Sequence, residues 1–178
     1  ALVVMDSTEP VVAQDTHIAG LAWEAHKGVV LVANKWDLVP KKEGLEKEMY
    51  LQELRAKFHF IPYAPVVFTS ALRKEGIDDL LAIAAEVYEE RKRRIPHGAL
   101  YNAMMDAVAL HPPSSGKGRE LRVYGVKQTG VNPTEITFDI NEASLVHFSY
   151  RRYLETKLRS VFEFRHTRLK LVFRRSRG

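Results

Sequence analysis

Six residues without a polar break, Gly28-Val29-Val30-Leu31-Val32-Ala33, run straight into the polar tetrad Asn34-Lys35-Trp36-Asp37. A strand with one wet face alternates polar and apolar side chains. This run does not, so it is expected to be covered on both faces, as in a parallel sheet layered with helices. The mouth of such a strand is where open α/β sheets receive ligands.

The flanking segments fit the same architecture. Leu2-Val3-Val4-Met5 reads as a short buried strand ending at Asp6. Asp15 is a candidate cap for a helix to His26, with Ile18, Leu21, Ala22 and Ala25 inward and Gly28 closing it. Glu43–Phe58 reads as a charged helix that buries Leu45, Met49, Leu51 and Leu54. Pro65–Phe68 is a third strand, and Gly76–Arg94 a long helix with Ile77, Leu80, Leu81, Ala84 and Val87 inward. Alternating strands and helices predict an α/β domain with a parallel sheet.

Arg91-Lys92-Arg93-Arg94 followed by Ile95-Pro96 marks a boundary, which divides the chain into residues 1–94 and 95–178. The four basic residues either serve packing or simply suit a helix C-terminus. Beyond them, His97–Leu110 reads as a helix with Leu100, Met104, Ala107 and Val108 inward, and His111–Gly118 as a loop. The period then changes to two. Leu121, Val123 and Gly125 alternate with Arg122, Tyr124 and Val126, and Ile136, Phe138 and Ile140 with Glu135, Thr137 and Asp139. Ser149–Phe162 reads as a helix with Tyr150, Tyr153, Leu154, Leu158 and Val161 on one side, and Leu169, Leu171 and Phe173 mark a last strand. The second module is thus expected to be α+β, in the order α-β-β-α-β.

Charge separates the halves. Residues 1–90 carry 9 Lys/Arg against 15 Asp/Glu, and residues 91–178 carry 18 against 7. A basic second half suits a polyanion such as nucleic acid, or else a solubilising surface. With no cysteine, disulfides and thiolate chemistry are excluded. No run approaches a membrane span and no secretory signal opens the chain, so a cytoplasmic setting without a membrane partner is expected. The 7 histidines show neither HExxH nor zinc-ligand spacing, and no catalytic residue or metal site is assigned.

Asp37 carries the most specific chemistry. Guanine offers N1–H and the exocyclic N2 amine side by side, a fork that one carboxylate accepts; adenine lacks it. Asn34 suits pinning a loop and touching a base edge. Lys35 has a methylene stem that can lie on a flat base while its ammonium stays wet. At the third strand's mouth, Thr69-Ser70-Ala71 leaves room for close approach: the Ala71 amide is a candidate donor to a base carbonyl and Ser70 a brace. An ordinary helix cap is the competing reading. Trp36 is expected to pack beneath the loop.

These residues carry a resemblance to a family. The chain resembles the C-terminal part of the Der (EngA) GTPases, which have two tandem GTP-binding domains followed by a KH-like domain. Asn34-Lys35-Trp36-Asp37 is similar to the guanine-specificity motif of the second GTPase domain, and Ser70-Ala71 to its later base-contacting motif. Asp6-Ser7-Thr8-Glu9 with Gln14-Asp15 resembles the segment after switch II. Gln128-Thr129-Gly130, Pro133 and Phe148–Glu155 resemble the KH-like core. The resemblance implies a partial P-loop GTPase-type sheet in residues 1–94, a KH-like domain in 95–178, and action in large ribosomal subunit assembly. GTP or GDP and Mg2+ would be cofactors of a longer parent. The partners implied are the large subunit or its precursor, rRNA, and preceding GTPase domains of the same protein.

The chain departs from the family pattern in several places. No GxxxxGK[ST] stretch, switch I or DxxG motif occurs in the 178 residues. Such a chain is expected to read a base without holding its phosphates, and to be inactive alone, as a piece of a longer protein or a degenerate gene product. Asn141-Glu142-Ala143 and Arg165–Arg168 also differ from the usual turns. No GXXG tetrad lies between helices, so recognition of splayed nucleotides by that loop is not expected. Backbone contacts to folded RNA fall instead to Lys117, Arg119, Arg122, Arg151, Arg152, Lys157, Arg168, Lys170, Arg174 and Arg175. For Tyr150 and Tyr153, core packing competes with base stacking. The alternative function is a stand-alone RNA- or ribosome-binding adaptor.

Overall fold

The computed structural model describes residues 1–40, 46–113 and 120–176, and these group into two compact units. The first comprises Ala1–Glu90 with His166–Arg168, the second Arg91–Arg165 with Leu169–Gly178.

In the first unit, strands β1 (Leu2–Asp6), β2 (Val30–Asn34) and β3 (Val66–Phe68) form a parallel sheet in that order. The register sets Asp6 beside Asn34 and Ala33 beside Phe68, so the chain leaves all three strands at one end. Helices α1 (Ala13–Glu24) and α2 (Glu46–Lys57) cover one face, where Ala19, Leu54 and Phe58 bury Val3, Met5 and Leu31. Helix α3 (Ile77–Lys92) covers the other through Val87, Leu80 and Ile83 on Val30, Val32 and Val67. β2 is therefore buried on both sides, which is why it lacks polar alternation. Among the described residues β1 pairs only with β2, and Leu2 and Val4 on the α3 side stay 48% and 58% exposed.

Local details differ from the sequence pattern. Asp15 lies inside the first turn of α1 and accepts a hydrogen bond from the Val12 amide at 3.1 Å, rather than being the cap residue. Ile18, Leu21 and Ala25 are exposed, and the helix packs through Ala19, Ala22 and Trp23. Small side chains let α1 approach the sheet closely. His26 (φ 54°), not Gly28, takes the left-handed position after the helix. In α2 Met49 is exposed while Tyr50, Leu54 and Phe58 face the sheet; the expected start at Glu43 and Leu45 lies outside the described residues. In α3 Leu81 is exposed and Ile83 turns inward. Glu90 is buried, accepting from the His166 amide (3.0 Å) and from the Thr167 amide and hydroxyl (2.9 and 2.7 Å).

The second unit runs α4 (His97–Leu110), β4 (Val123–Gly130), β5 (Glu135–Ile140), α5 (Phe148–Phe162), β6 (Lys170–Arg175). β5 pairs antiparallel with β4 and parallel with β6, and α4 and α5 contribute Leu100, Met104, Leu154 and Leu158 to the core over Ile136, Phe138 and Ile140. A bulge between Val123 and Gly125 shifts the register, so Val126 is buried although the alternation placed it outward. Val161 is half exposed. Tyr153 is a core residue whose hydroxyl donates to the Ala107 carbonyl at 2.8 Å, and Tyr150 packs beside it with its phenol held up at about 12 by burial. Within this unit Arg91 binds the Asn132 side chain and Arg93 the Phe162 carbonyl.

Candidate functional site

Three strand ends converge at the mouth of the first sheet, and Asn34 ties two of them. Its Oδ1 accepts from the Thr69 hydroxyl and from the Ala71 amide, each at 3.1 Å. Backbone bonds reinforce the tie: the Thr69 amide donates to Ala33, the Trp36 amide to Thr69, and the Ser7 amide to Asn34. The Ala71 amide, expected to meet a base carbonyl, is thus committed to Asn34 in this structure. Ser70 braces the third loop, its Oγ accepting from the Arg73 amide at 3.1 Å while its backbone bridges Glu75. The bridge closes through Gly76 at φ +71°, where a Cβ would stand 2.2 Å from the Phe68 carbonyl oxygen, so only glycine fits.

Asp37 follows in a 3₁₀ turn, Trp36–Leu38, at the same end of the sheet as Ser70. Its side chain is only 4% exposed, with Arg73 Nε 3.6 Å from Oδ2. A guanidinium presents adjacent N–H groups to a carboxylate, the same donor geometry as the N1/N2 edge of guanine. Arg73 therefore stands on the donor side of the Asp37 carboxylate. Trp36 packs edge-on against Phe68 (4.4 Å between centroids) and Tyr50 (5.4 Å), supporting the loop from below.

Lys35 has left-handed backbone (φ 58°), an uncommon conformation for a residue with a Cβ and one that concentrates at functional sites. Its ammonium binds Asp6 at 2.5 Å, and Asp6 also accepts from the Thr8 amide and hydroxyl. The Lys35 bond, helped by Thr8, lowers the Asp6 carboxyl to about 2, and Asp6 in turn raises Lys35. Sequence reading placed Asp6 at a strand end without this partner, although parallel register alone sets it beside Asn34. Thr69 was read at the strand mouth without its hydroxyl's bond to Asn34, and Arg73 was missed, because neither contact belongs to a periodic pattern.

The cationic residues of the second half are not equivalent. Lys117 and Arg119 lie outside the described residues. Arg168 belongs to the first unit, donating to the Trp23 carbonyl at 2.9 Å with its guanidinium over the indole. Lys170 pairs with Glu135 at 2.7 Å. Arg151 is exposed but donates to the Leu171 carbonyl and lies over Phe173. Lys157 is partly buried, while Arg122, Arg152, Arg174 and Arg175 are exposed. Among the described residues no group of three His, Asp or Glu side chains is placed to hold a metal, and no helix is long and apolar enough to cross a membrane.

Comparison with known proteins adds lineage to this geometry. Residues 1–90 match the elongation factor Tu GTP binding domain, and residues 94–174 match the KH-domain-like region of EngA bacterial GTPase enzymes, C-terminal. The chain is 42% identical over 175 residues to GTPase Der of Thermomicrobium roseum, covering 98% of this chain and 38% of that protein. To GTPase Der of Moorella thermoacetica it is 43% identical over 176 residues, covering 99% and 40%. A solved structure of Era with MgGDPNP and a 16S ribosomal RNA segment aligns at 16% identity and TM-score 0.42, over 98% of this chain and 65% of that one, too loosely to support an argument. The chain spans about two fifths of the length of the curated relatives it matches.

Proposed function

Because the chain belongs to the Der (EngA) family of GTPases, we propose that it supplies the guanine-reading part of a GTP/GDP switch acting in large ribosomal subunit assembly. Residues 1–94 are the C-terminal part of a second GTP-binding domain, and residues 95–178 a KH-like domain whose surface meets rRNA of the large subunit or its precursor. The setting is the cytoplasm.

The observation that carries this reading is the Asn34 tie between the two loop mouths, with the shielded Asp37 carboxylate beside it. Asp37 accepts the N1–H and N2–H groups of guanine after Arg73 moves aside. Asn34 fixes the spacing between the NKWD turn and the Ser70-Ala71 loop. The Lys35 stem, held by Asp6, lies along one face of the base. Guanine is thereby separated from adenine, which leaves the buried carboxylate without its paired donors.

The phosphates, Mg2+ and the attacking water belong to parts of a longer protein. When bound, GTP supplies a hydrolysable γ-phosphate whose loss changes the affinity for the ribosomal precursor. The chain's own contribution is base selection and RNA contact. Equilibrium binding of GDP and GTP to a full-length Der protein carrying this chain tests the reading. Asp37→Ala weakens both nucleotides by the same factor; unchanged affinity for both removes Asp37 from the base site.

A further inference from the structure

The second unit contains a cationic groove. A cavity of about 410 Å³ is lined by Arg94, Ile95, His97, Lys127, Gln128 and the Thr129–Val131 turn. A second, of about 240 Å³, is lined by Lys127, Asp139, Arg174, Arg175 and Ser176. Lys127 belongs to both. The β-register explains the continuity: Lys127 lies opposite Thr137 and Arg174 opposite Asp139, and Thr137 and Asp139 share one face of β5.

Anions on this face are already matched. Asp139 pairs with Lys127 at 3.2 Å and Glu135 with Lys170 at 2.7 Å. Arg94, Arg174 and Arg175 have no ionic partner among the described residues, leaving the groove with surplus positive charge. The wall is also preformed. Gln128 accepts from the Ile95 amide at 2.8 Å and donates to the Arg93 carbonyl at 2.9 Å, so the backbone is pinned on both sides of Arg94. An aromatic platform adjoins it: His97 stacks on Tyr101, centroids 6.2 Å apart and ring planes 25° apart.

Concave cationic track plus exposed aromatic face is the combination that single-stranded nucleic acid requires; a duplex presents its phosphates on a convex rail and hides its base faces. We propose that this groove binds single-stranded RNA, with Arg94, Arg174 and Arg175 on phosphates and the His97–Tyr101 pair stacking on a base. The inference rests on the reading of this unit as an RNA contact and assigns that contact to a place.

Fluorescence anisotropy of the 178-residue chain with a labelled oligouridylate, and with an RNA hairpin of equal phosphate number, tests it. Arg94→Glu with Arg174→Glu weakens oligouridylate binding about tenfold or more at low salt and reduces the salt slope by about 1.4, the share of two phosphate contacts on a single strand. Gln128→Ala weakens binding without a charge change, whereas Arg165→Glu, just beyond α5 and lining neither cavity, leaves it within about twofold. Thermal melts confirm that each variant is folded, and Arg94→Ser serves if the double reversal is not. If the wild-type chain binds RNA but the groove variants bind equally well, or Arg165→Glu costs as much, the groove is refuted and RNA contact by this unit stands. If the hairpin binds more tightly and is lost with the reversal, the single-strand assignment is overturned. If the wild-type chain binds neither RNA, the groove and the RNA reading fall together.

Discussion

Replacing Asp37 by asparagine exchanges one acceptor oxygen for a donor amide at almost constant shape. In a full-length Der protein carrying this chain, Asn at 37 still accepts from N1–H but now points an N–H at the exocyclic amine of guanine. One charged hydrogen bond, worth roughly 1.5–3 kcal/mol, is lost, and two donors are brought face to face. The side chain is only 4% exposed, so water does not fill in. GDP affinity is therefore expected to fall by about 10- to 150-fold. Xanthine carries a carbonyl where guanine carries the amine, so the same substitution gives it a matched pair. Competition of XDP against labelled GDP, in wild type and Asp37→Asn, reads both effects at once. The expected result is a reversal of base preference with phosphate affinity unaltered. If GDP and XDP weaken in parallel, the variant has damaged the loop rather than a specific contact, and the base-reading argument fails.

Further outcomes follow from the same geometry. Gly76→Ala places a Cβ against the Phe68 carbonyl at positive φ; a loss of about 1–3 kcal/mol in denaturant unfolding is expected, and a change below about 0.5 kcal/mol refutes the steric account. The Asp6 carboxyl, lowered to about 2 by Lys35 and Thr8, contributes to stability above its ordinary value of 3.8 and loses that contribution as pH falls through 2. The raised Lys35 ammonium contributes fully below 10.5 and ceases to as pH rises through its folded value. A carboxyl-carbon NMR titration of Asp6 checks this, and a midpoint near 3.8 refutes the clamp. The isolated chain hydrolyses no GTP above background; turnover that follows the purified chain through successive columns contradicts the assignment of phosphate chemistry to other parts of the protein.

Legibility in the sequence depended on whether burial left a periodic trace. β2 and its Asn34-Lys35-Trp36-Asp37 exit were readable because a strand covered on two faces has no polar alternation. Ile136, Phe138 and Ile140 were readable for the opposite reason, one strict alternation over one core. Helix α1 was readable at Ala22 but misled at Ile18, Leu21 and Ala25, which are exposed, because close packing selects the small Ala19 beside Ala22 rather than the large apolar residues. Val126 misled because a bulge inverts strand parity without changing composition. Glu90 was invisible: a carboxylate at a helix end reads as solvated, and its donors lie 76 and 77 residues away. Motif spacing proposed Asn34, Asp37 and Ser70-Ala71 as candidates, but not the contacts that hold them. The Asn34–Ala71 bond spans 37 residues and the Lys35–Asp6 pair 29, and neither leaves a periodic signal.

The most direct measurement is a ¹⁵N-resolved NMR titration of this chain with guanosine monophosphate and, separately, adenosine monophosphate. The account expects the amides of Lys35, Asp37, Ala71 and Arg73 to shift with the guanine nucleotide alone, as Arg73 leaves the carboxylate and the base enters. Equal shifts with both nucleotides, or guanine-dependent shifts confined to the second unit, would contradict it.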